Sequence, residues 1–547
     1  MKNIIGWFRK VPTEATLLLP SLVIAVAMQV FFATGYPLNT GRADNPTYLE
    51  MILSGSSNLI LAPGYSFVLN RIVMRIAGVP IPEAFTDIEW LQSVHLAQNI
   101  LHLVLFLIAV FLLWRLTNAT VASIFVLGNS LYVGFWGGLN SASPEWLQGD
   151  LLILSLLLAA TTAKQKTWPR VFVLSSITGL VFSLAYLVKF NSLVVVFGLI
   201  TVLVFSGLNF KRITLGIAAA TISAFAFVSF FAVSFHEPRT GTETLNYDTA
   251  WILSSSMDSE YLLRENETLG LEALRWKALI QQLPTGEAFA YKTIDVGAYP
   301  EVKDQGLSLW NEIMAMDRDR LIEYTNAGQL PLDYNHFSQP IPIYWNVGLA
   351  EAEKLGRAVF LEYLVSNPDH VFKKIGYGLV SDWGVYQDGS VPVERDPKTL
   401  VFTNIDSNVV NDLSYSFSEG AGPPTYQFYW NPSMAIDKSA FELASTLDKL
   451  RVPVWIEYLL TILIIPAWFV LRRSGLSLLL VSAVLSQAAF MAASWMLVGM
   501  RNKEEVSILP ITVLVYSLVI FALAKVVLTS VSFLFGKLFG ARTYIRR

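Results

Sequence analysis

"LILAPGYSFVLNRIVMRIAG", residues 59–78, has nearly the apolar content of a membrane span, and whether it crosses decides the sidedness of everything after it. Pro63 and Gly64 break its start, and Asn70, Arg71 and Arg75 place polar and charged groups in its body. A cation held at mid-bilayer costs about 2.5–3.5 kcal/mol on insertion scales. The stretch is therefore expected to lie along the membrane surface as an amphipathic helix, not to cross.

The surrounding composition makes the membrane setting necessary. Of 547 residues, 54% are hydrophobic and only 15% charged, with a mean hydropathy of +0.49. No soluble core of that size hides so much apolar surface. The net charge of −3 argues against general attraction to nucleic acid, and the absence of cysteine removes disulfides, thiolate metal sites and cysteine nucleophiles. Lys2, Arg9 and Lys10 with Ala25-Val26-Ala27 imitate a signal peptide, but the apolar run continues through Phe32 and reads as an uncleaved first span.

Nine further runs can cross: 91–114, 119–137, 145–163, 169–187, 191–208, 213–235, 454–471, 475–498 and 506–525. Ten spans put Arg115, Lys164, Lys166, Arg170, Lys211, Arg212, Arg472 and Arg473 on the cytoplasmic side with both termini. Short outer segments keep only Arg42, Arg71, Arg75, Lys189, Arg501 and Lys503. Making 59–78 an eleventh span would move the central basic clusters outside, against the positive-inside rule. The expected fold is thus a polytopic α-helical membrane protein of about ten spans. It has an N-terminal module (1–235, with a first outer loop at 36–90), an extracytoplasmic insert (236–452) and a C-terminal module (453–547). The tail from Lys525 reads as an amphipathic helix with a basic end on the inner leaflet.

The insert has ordinary charge density, and "EYLLRENETLGLEALRWKALIQQL" and "VGLAEAEKLGRAVFLEYLVSNPDHVFKKIGYGL" read as helices by 3.6-residue periodicity, with a break at Asn367-Pro368-Asp369. Stretches 287–300 and 399–430 are less regular and read as loops or short strands. No internal repeat is present.

Charged residues collect near the outer ends of the spans. Asp44 follows span one, Glu145 opens span four in "NSASPEWLQGD", Lys189 closes span five in "AYLVKFNS", and Arg501 precedes span ten in "VGMRNKEEVSILP". Carboxylates and cations facing one outer cavity suit a reaction in which an acid activates an acceptor while cations hold a phosphate leaving group. Each residue also has a plainer reading. Lys189 and Arg501 can snorkel to lipid headgroups, Glu145 can complement a helix dipole, and Asp44 can cap the next helix. Their shared sidedness favours the functional reading.

The order Asp44, Tyr48, Pro63-Gly64-Tyr65 resembles the first outer loop of GT-C fold glycosyltransferases, which draw sugars from polyprenyl-phosphate carriers. The likeness is to the branch related to protein mannosyltransferases and the lipid A aminoarabinose transferase. It covers about 1–235 and 453–525 on short, loose motifs: "GLVFSLAYLVKF" for Lys189, the context of Glu145, and "RNKEEVSILP" for Arg501 and Pro510. It departs where Asn45 stands in place of a second acid, Asn502 in place of a tyrosine, and Leu61-Ala62 where an arginine often precedes the turn. The resemblance implies an inverting transferase of the bacterial inner (plasma) membrane with an extracytoplasmic site and two interfacial helices at 47–55 and 63–77. Asp44 would be the general base, Lys189 and Arg501 would hold the donor phosphate, and Tyr48, Tyr65, Glu145 and His236 would contact sugar or acceptor. For His236 an ordinary surface histidine is the plainer reading. A divalent metal stays open, with Glu50 and Glu145 as the carboxylates at hand. The acceptor would be a lipid, glycan or protein, and the insert would carry acceptor specificity.

Other signals are weak. Asn118-Ala-Thr120 and Asn266-Glu-Thr268 match a glycosylation triplet that is common by chance. His95 and His102, seven apart on one face of span two, are expected to pack between helices, not to bind metal or relay protons. Asp150 and these histidines are the ionisable groups inside spans, and no halves repeat as a transporter's would. The rival is a non-catalytic scaffold or docking subunit that kept the fold and uses the insert to bind a partner.

Overall fold

The computed structural model describes residues 15–36, 38, 45–57, 61–76, 87–132, 136, 139–240, 245, 261–283, 304–330, 343, 346–382, 438–449, 454–472, 474–497 and 502–543. The chain is a polytopic α-helical membrane protein. Seven helices among the described residues are long and apolar enough to cross a bilayer: Leu18–Gly35, Ile88–Leu116, Glu145–Ala163, Trp168–Val188, Phe210–Thr240, Ser477–Ser494 and Ser507–Ser532.

The first is α1 (Ala15–Gly35). Then come the short helices α2 (Asn45–Ser54) and α3 (Gly64–Ile76), which pack on each other. α3 has 13 residues and rises about 20 Å, too short for the roughly 30 Å of a bilayer interior. The helix starts only at the Pro63-Gly64 break, so among the described residues of this stretch it is short.

α4 (Ile88–Leu116) begins where Asp87 accepts from the Trp90 amide at 2.9 Å. α5 (Ala119–Ser130) is capped by Asn118, whose side chain accepts from Val121 N at 3.0 Å. That cap gives the first glycosylation-like triplet a structural role. Span three was expected over 119–137, but α5 has 12 residues and rises about 18 Å. The connection that follows is buried, with Leu139, Asn140, Ser141, Ala142 and Ser143 all shielded. Irregular backbone at that depth is tolerable because protein surrounds it.

α6 (Glu145–Ala163) is the hub, with 83% of its span buried, packed against α4, α7 (Trp168–Val188), α8 (Val196–Val204) and the last helix, α19 (Asn502–Thr543). Span six is a 3-10 segment, Phe190–Val195, leading into α8 (Val196–Val204). α9 (Phe210–Phe231) lies along α7, where Gly179 lets the Ala220 carbonyl approach more closely than a Cβ permits. It continues through a π-helical turn, Ala232–His236, into Glu237–Thr240.

The insert contributes α10 (Leu271–Gln282), α11 (Asp304–Ala315), α12 (Arg318–Ala327), α13 (Leu349–Ser366) and α14 (Pro368–Asp382). The second periodic stretch and its break at Asn367 are found as expected, whereas the first is helical only from Leu271, after two 3-10 turns at Tyr261–Leu263 and Asn266–Thr268. These helices close on their own core, built around Trp276, Leu279, Ile313, Leu321, Val359 and Tyr363. Asn266 is buried there, accepting from Lys277 Nζ at 2.7 Å and donating to Asn326 at 2.6 Å, so the second triplet is part of the packing. Residues 287–300 and 399–430 lie outside the described residues.

α15 (Lys438–Lys449) packs on α1. Span eight is two pieces, α16 (Val454–Ile462) and α17 (Ile464–Arg472), with hydrogen bonds Leu463 N to Leu459 O and Ala467 N to Leu463 O continuing through the join. α18 (Ser477–Leu497) and α19 (Asn502–Thr543) complete the bundle. α19 runs unbroken from the last span through Lys537 to Thr543.

Candidate functional site

Four of the residues singled out in the sequence meet at one end of α6. Glu145 is its first residue and is 3% exposed; Lys189 Nζ lies 2.8 Å from Glu145 Oε1 and is 20% exposed. α7 ends at Lys189, whose extended backbone (φ −159, ψ 122) turns the chain into the 3-10 segment. The start of that segment is tied down from below. Gln148, one turn into α6, donates to Asn191 Oδ1 at 2.6 Å and to Ser192 Oγ at 2.7 Å. The lysine is therefore held against the carboxylate by backbone on both sides.

The Pro-Gly-Tyr turn abuts this pair. A Cβ on Gly64 would sit 2.5–2.7 Å from the backbone of Leu187 and Val188, one or two residues before Lys189. Only glycine lets α3 approach so closely. Tyr65 is fully buried beside it, edge-on to Trp146 at 6.3 Å and to Tyr48 at 5.4 Å. Burial, and then the nearby Glu145 charge, push the Tyr65 phenol well above its ordinary pKa. It remains a protonated donor, and its hydroxyl gives a 2.6 Å bond to Gln98 Oε1. Gln98 in turn donates to the carbonyls of Leu139 and Ser141 at 2.7 and 3.3 Å. α2 is fastened to α3 by Ser66 Oγ to Tyr48 O and Asn70 Nδ2 to Ile52 O.

Tyr48, Tyr65, Glu145 and Lys189 thus form one cluster. Asp44, the residue before α2, and Arg501, the residue before α19, lie outside the described residues. His236 is placed elsewhere. It is fully buried on the π-helical turn and shares a 2.7 Å hydrogen bond with Ser57, just past α2, so it is no ordinary surface histidine. Arg239 stacks 4.0 Å from the Phe235 ring and donates to Gly55 O, giving the same loop a second tie.

The sequence reading missed Gln98, Trp146 and Gln148. The available signal was the polar row His95, Gln98, Asn99 and His102 at i, i+3, i+4 and i+7 along one face of α4, unusual in a membrane helix. The side chains of His95, Gln98 and His102 reach beyond α4, while that of Asn99 donates to His95 O in its own helix at 3.0 Å and only its backbone carbonyl is used from outside. His95 meets Asn140 at 2.7 Å, Asn99 O accepts from Gln29 at 2.6 Å, and His102 Nδ1 lies 2.7 Å from Asp150 Oδ2. As expected, the two histidines pack the bundle. A small cleft between α1, α4 and α5 is lined by His102, Gln29, Asn129 and Ser130 within mostly apolar walls.

No group of three or more His, Cys, Asp or Glu converges among the described residues. The Glu145 carboxylate is matched to a lysine, and Glu50 is exposed on α2.

No protein-family model matches the chain, and no curated protein matches it. Among solved structures the chain is similar to ArnT from Cupriavidus metallidurans, whose crystal structure is bound to undecaprenyl phosphate. The match covers 89% of this chain and 77% of that one, at 14% identity and a TM-score of 0.30. A likeness that loose carries no argument about the site, whose reading rests on its own geometry.

Proposed function

We propose that the protein is a membrane glycosyltransferase that moves a sugar from a polyprenyl-phosphate carrier to an acceptor on the extracytoplasmic side of the inner membrane. The observation that carries this is the union of the Pro63-Gly64-Tyr65 turn with the Glu145–Lys189 pair. Segments more than 100 residues apart in sequence converge where a lipid-borne phosphate would sit.

The chemistry asks little of the protein. Asp44 takes the acceptor hydroxyl proton. The acceptor oxygen attacks the anomeric carbon from the face opposite the phosphate, and the glycosidic bond breaks with its electron pair moving to the phosphate oxygen. The configuration inverts, and no protein nucleophile is needed. Charge grows on the departing phosphate, and Lys189 with Arg501 offsets it. Glu145 holds the Lys189 ammonium in place before the donor arrives, a better role for it than direct sugar contact. Tyr65, anchored through Gln98, holds Tyr48 and the start of α2 beside the pair. The insert, residues 236–452, presents the acceptor.

The test uses purified protein in nanodiscs with a panel of polyprenyl-phosphate sugars, reading release of free polyprenyl phosphate. The expected result is turnover of one donor, lost in Asp44→Asn. Absence of turnover with every donor, with and without divalent metal and crude acceptor extract, would move the chain to the docking-subunit reading.

A further inference from the structure

The insert has an apolar face that its own core does not use. On α13, Ala352, Leu355, Val359 and Tyr363 point into the core, while Leu361 and Val365 are 61% and 82% exposed. Phe372 on α14 is 73% exposed, and Lys373 beside it is exposed too. At the elbow between the two helices Arg264 donates to Asn367 Oδ1 at 2.6 Å, which brings the 58% exposed Leu263 to the same corner. Large side chains this open are costly in water, and a cluster of them marks a contact surface.

Two observations place that corner at the level of the bilayer. α14 packs on α18, a membrane span whose Leu485 is itself open to lipid. Arg357 on α13 lies within electrostatic reach of Tyr186, three residues before Lys189 at the end of α7. Arg357, Leu361 and Val365 are spaced i, i+4 and i+8, so they share one face of α13. The face whose arginine meets the end of the bundle therefore continues as leucine and valine beyond it.

We infer that Leu361, Val365 and Phe372 dip into the outer leaflet, with Lys373 at the phosphate level, so that the insert rides on the lipid surface. The occupant is phospholipid because α14, which carries Phe372, packs on the span α18, and the patch pairs apolar side chains with a cation, as interfacial helices do. This holds whether or not the site is catalytic.

The cysteine-free chain makes the test direct. Leu361→Cys, Val365→Cys and Phe372→Cys are made one at a time in the full chain, spin-labelled and placed in nanodiscs. Collision rates with oxygen, which concentrates in lipid, are compared with those of a water-soluble nickel chelate. Asp319→Cys on α12 supplies the aqueous reference and Leu485→Cys on α18 the lipid one. The three sites are expected to favour oxygen several-fold over the chelate, as Leu485→Cys does. Chelate access matching that of Asp319→Cys would overturn the inference. Exclusion of both reagents would overturn it as well, because that pattern marks contact with protein, and dipolar broadening would then identify a second copy.

Discussion

Lys189 and Glu145 differ in exposure, 20% against 3%, and that asymmetry predicts how each fails when its partner is lost. Lys189→Met leaves a buried carboxylate without its cation. Breaking a buried pair costs about 3–5 kcal/mol, and the partial exposure of Lys189 puts this case near the low end. Lys189→Met/Glu145→Leu removes both charges and is expected to recover most of that loss in a thermal unfolding assay. A double variant no more stable than the single one would contradict the pairing. In the donor assay both variants should be at least about tenfold slower, since each loses about 1.4 kcal/mol or more of phosphate stabilisation. The sequence already offered Glu145 and Lys189 by their sidedness. It could not offer Gln98 or Gln148, because an amide inside a span is recognised as a site residue only once the backbone carbonyls or amides it meets are known. His236 misled for the complementary reason. Its burial depends on a π-helical turn that the apolar pattern of 210–236 does not encode.

At the level of elements, glycine and proline set the site's geometry. Gly64→Ala pushes a methyl into the Leu187–Val188 backbone, which has no flexible end to yield. The expected loss is about 1–3 kcal/mol, as for overpacking generally. Gly376→Ala on α14 meets nothing within 4 Å and serves as a neutral control. Equal melting temperatures for the two variants would show that the close approach of α3 to α7 is not a constraint. Most elements were legible from apolar run length, including the shortness of α3, whose start follows from the Pro-Gly break. The short α5 was not. Residues 131–138, "LYVGFWGG", are as apolar as a span, and only the polar bonds made by Leu139, Asn140 and Ser141 to α4 show why the chain leaves the helix early.

For the whole molecule the proposed sidedness turns on α3, because with that helix lying along the surface the expected number of crossings before the insert is odd. Single cysteines at Lys2 and at Asp319 should react with an impermeant maleimide from opposite sides of the membrane. Labelling both from the same side would require an even number of crossings among the segments between them. The central position of α6 has a further consequence for how the chain is made. Its mean hydropathy of 1.4 is the lowest of the seven long spans, and it carries Glu145, Gln148 and Asp150 within its first two turns. Such a segment partitions poorly from the translocon by itself, since each ionised carboxylate opposes entry. The groups that pair with its carboxylates, His102 and Lys189, arrive on α4 before it and at the end of α7 after it. Stable insertion of α6 should therefore wait for synthesis of α7, so that a nascent chain stopped at residue 166 leaves its fourth span unsettled while one stopped past residue 192 does not.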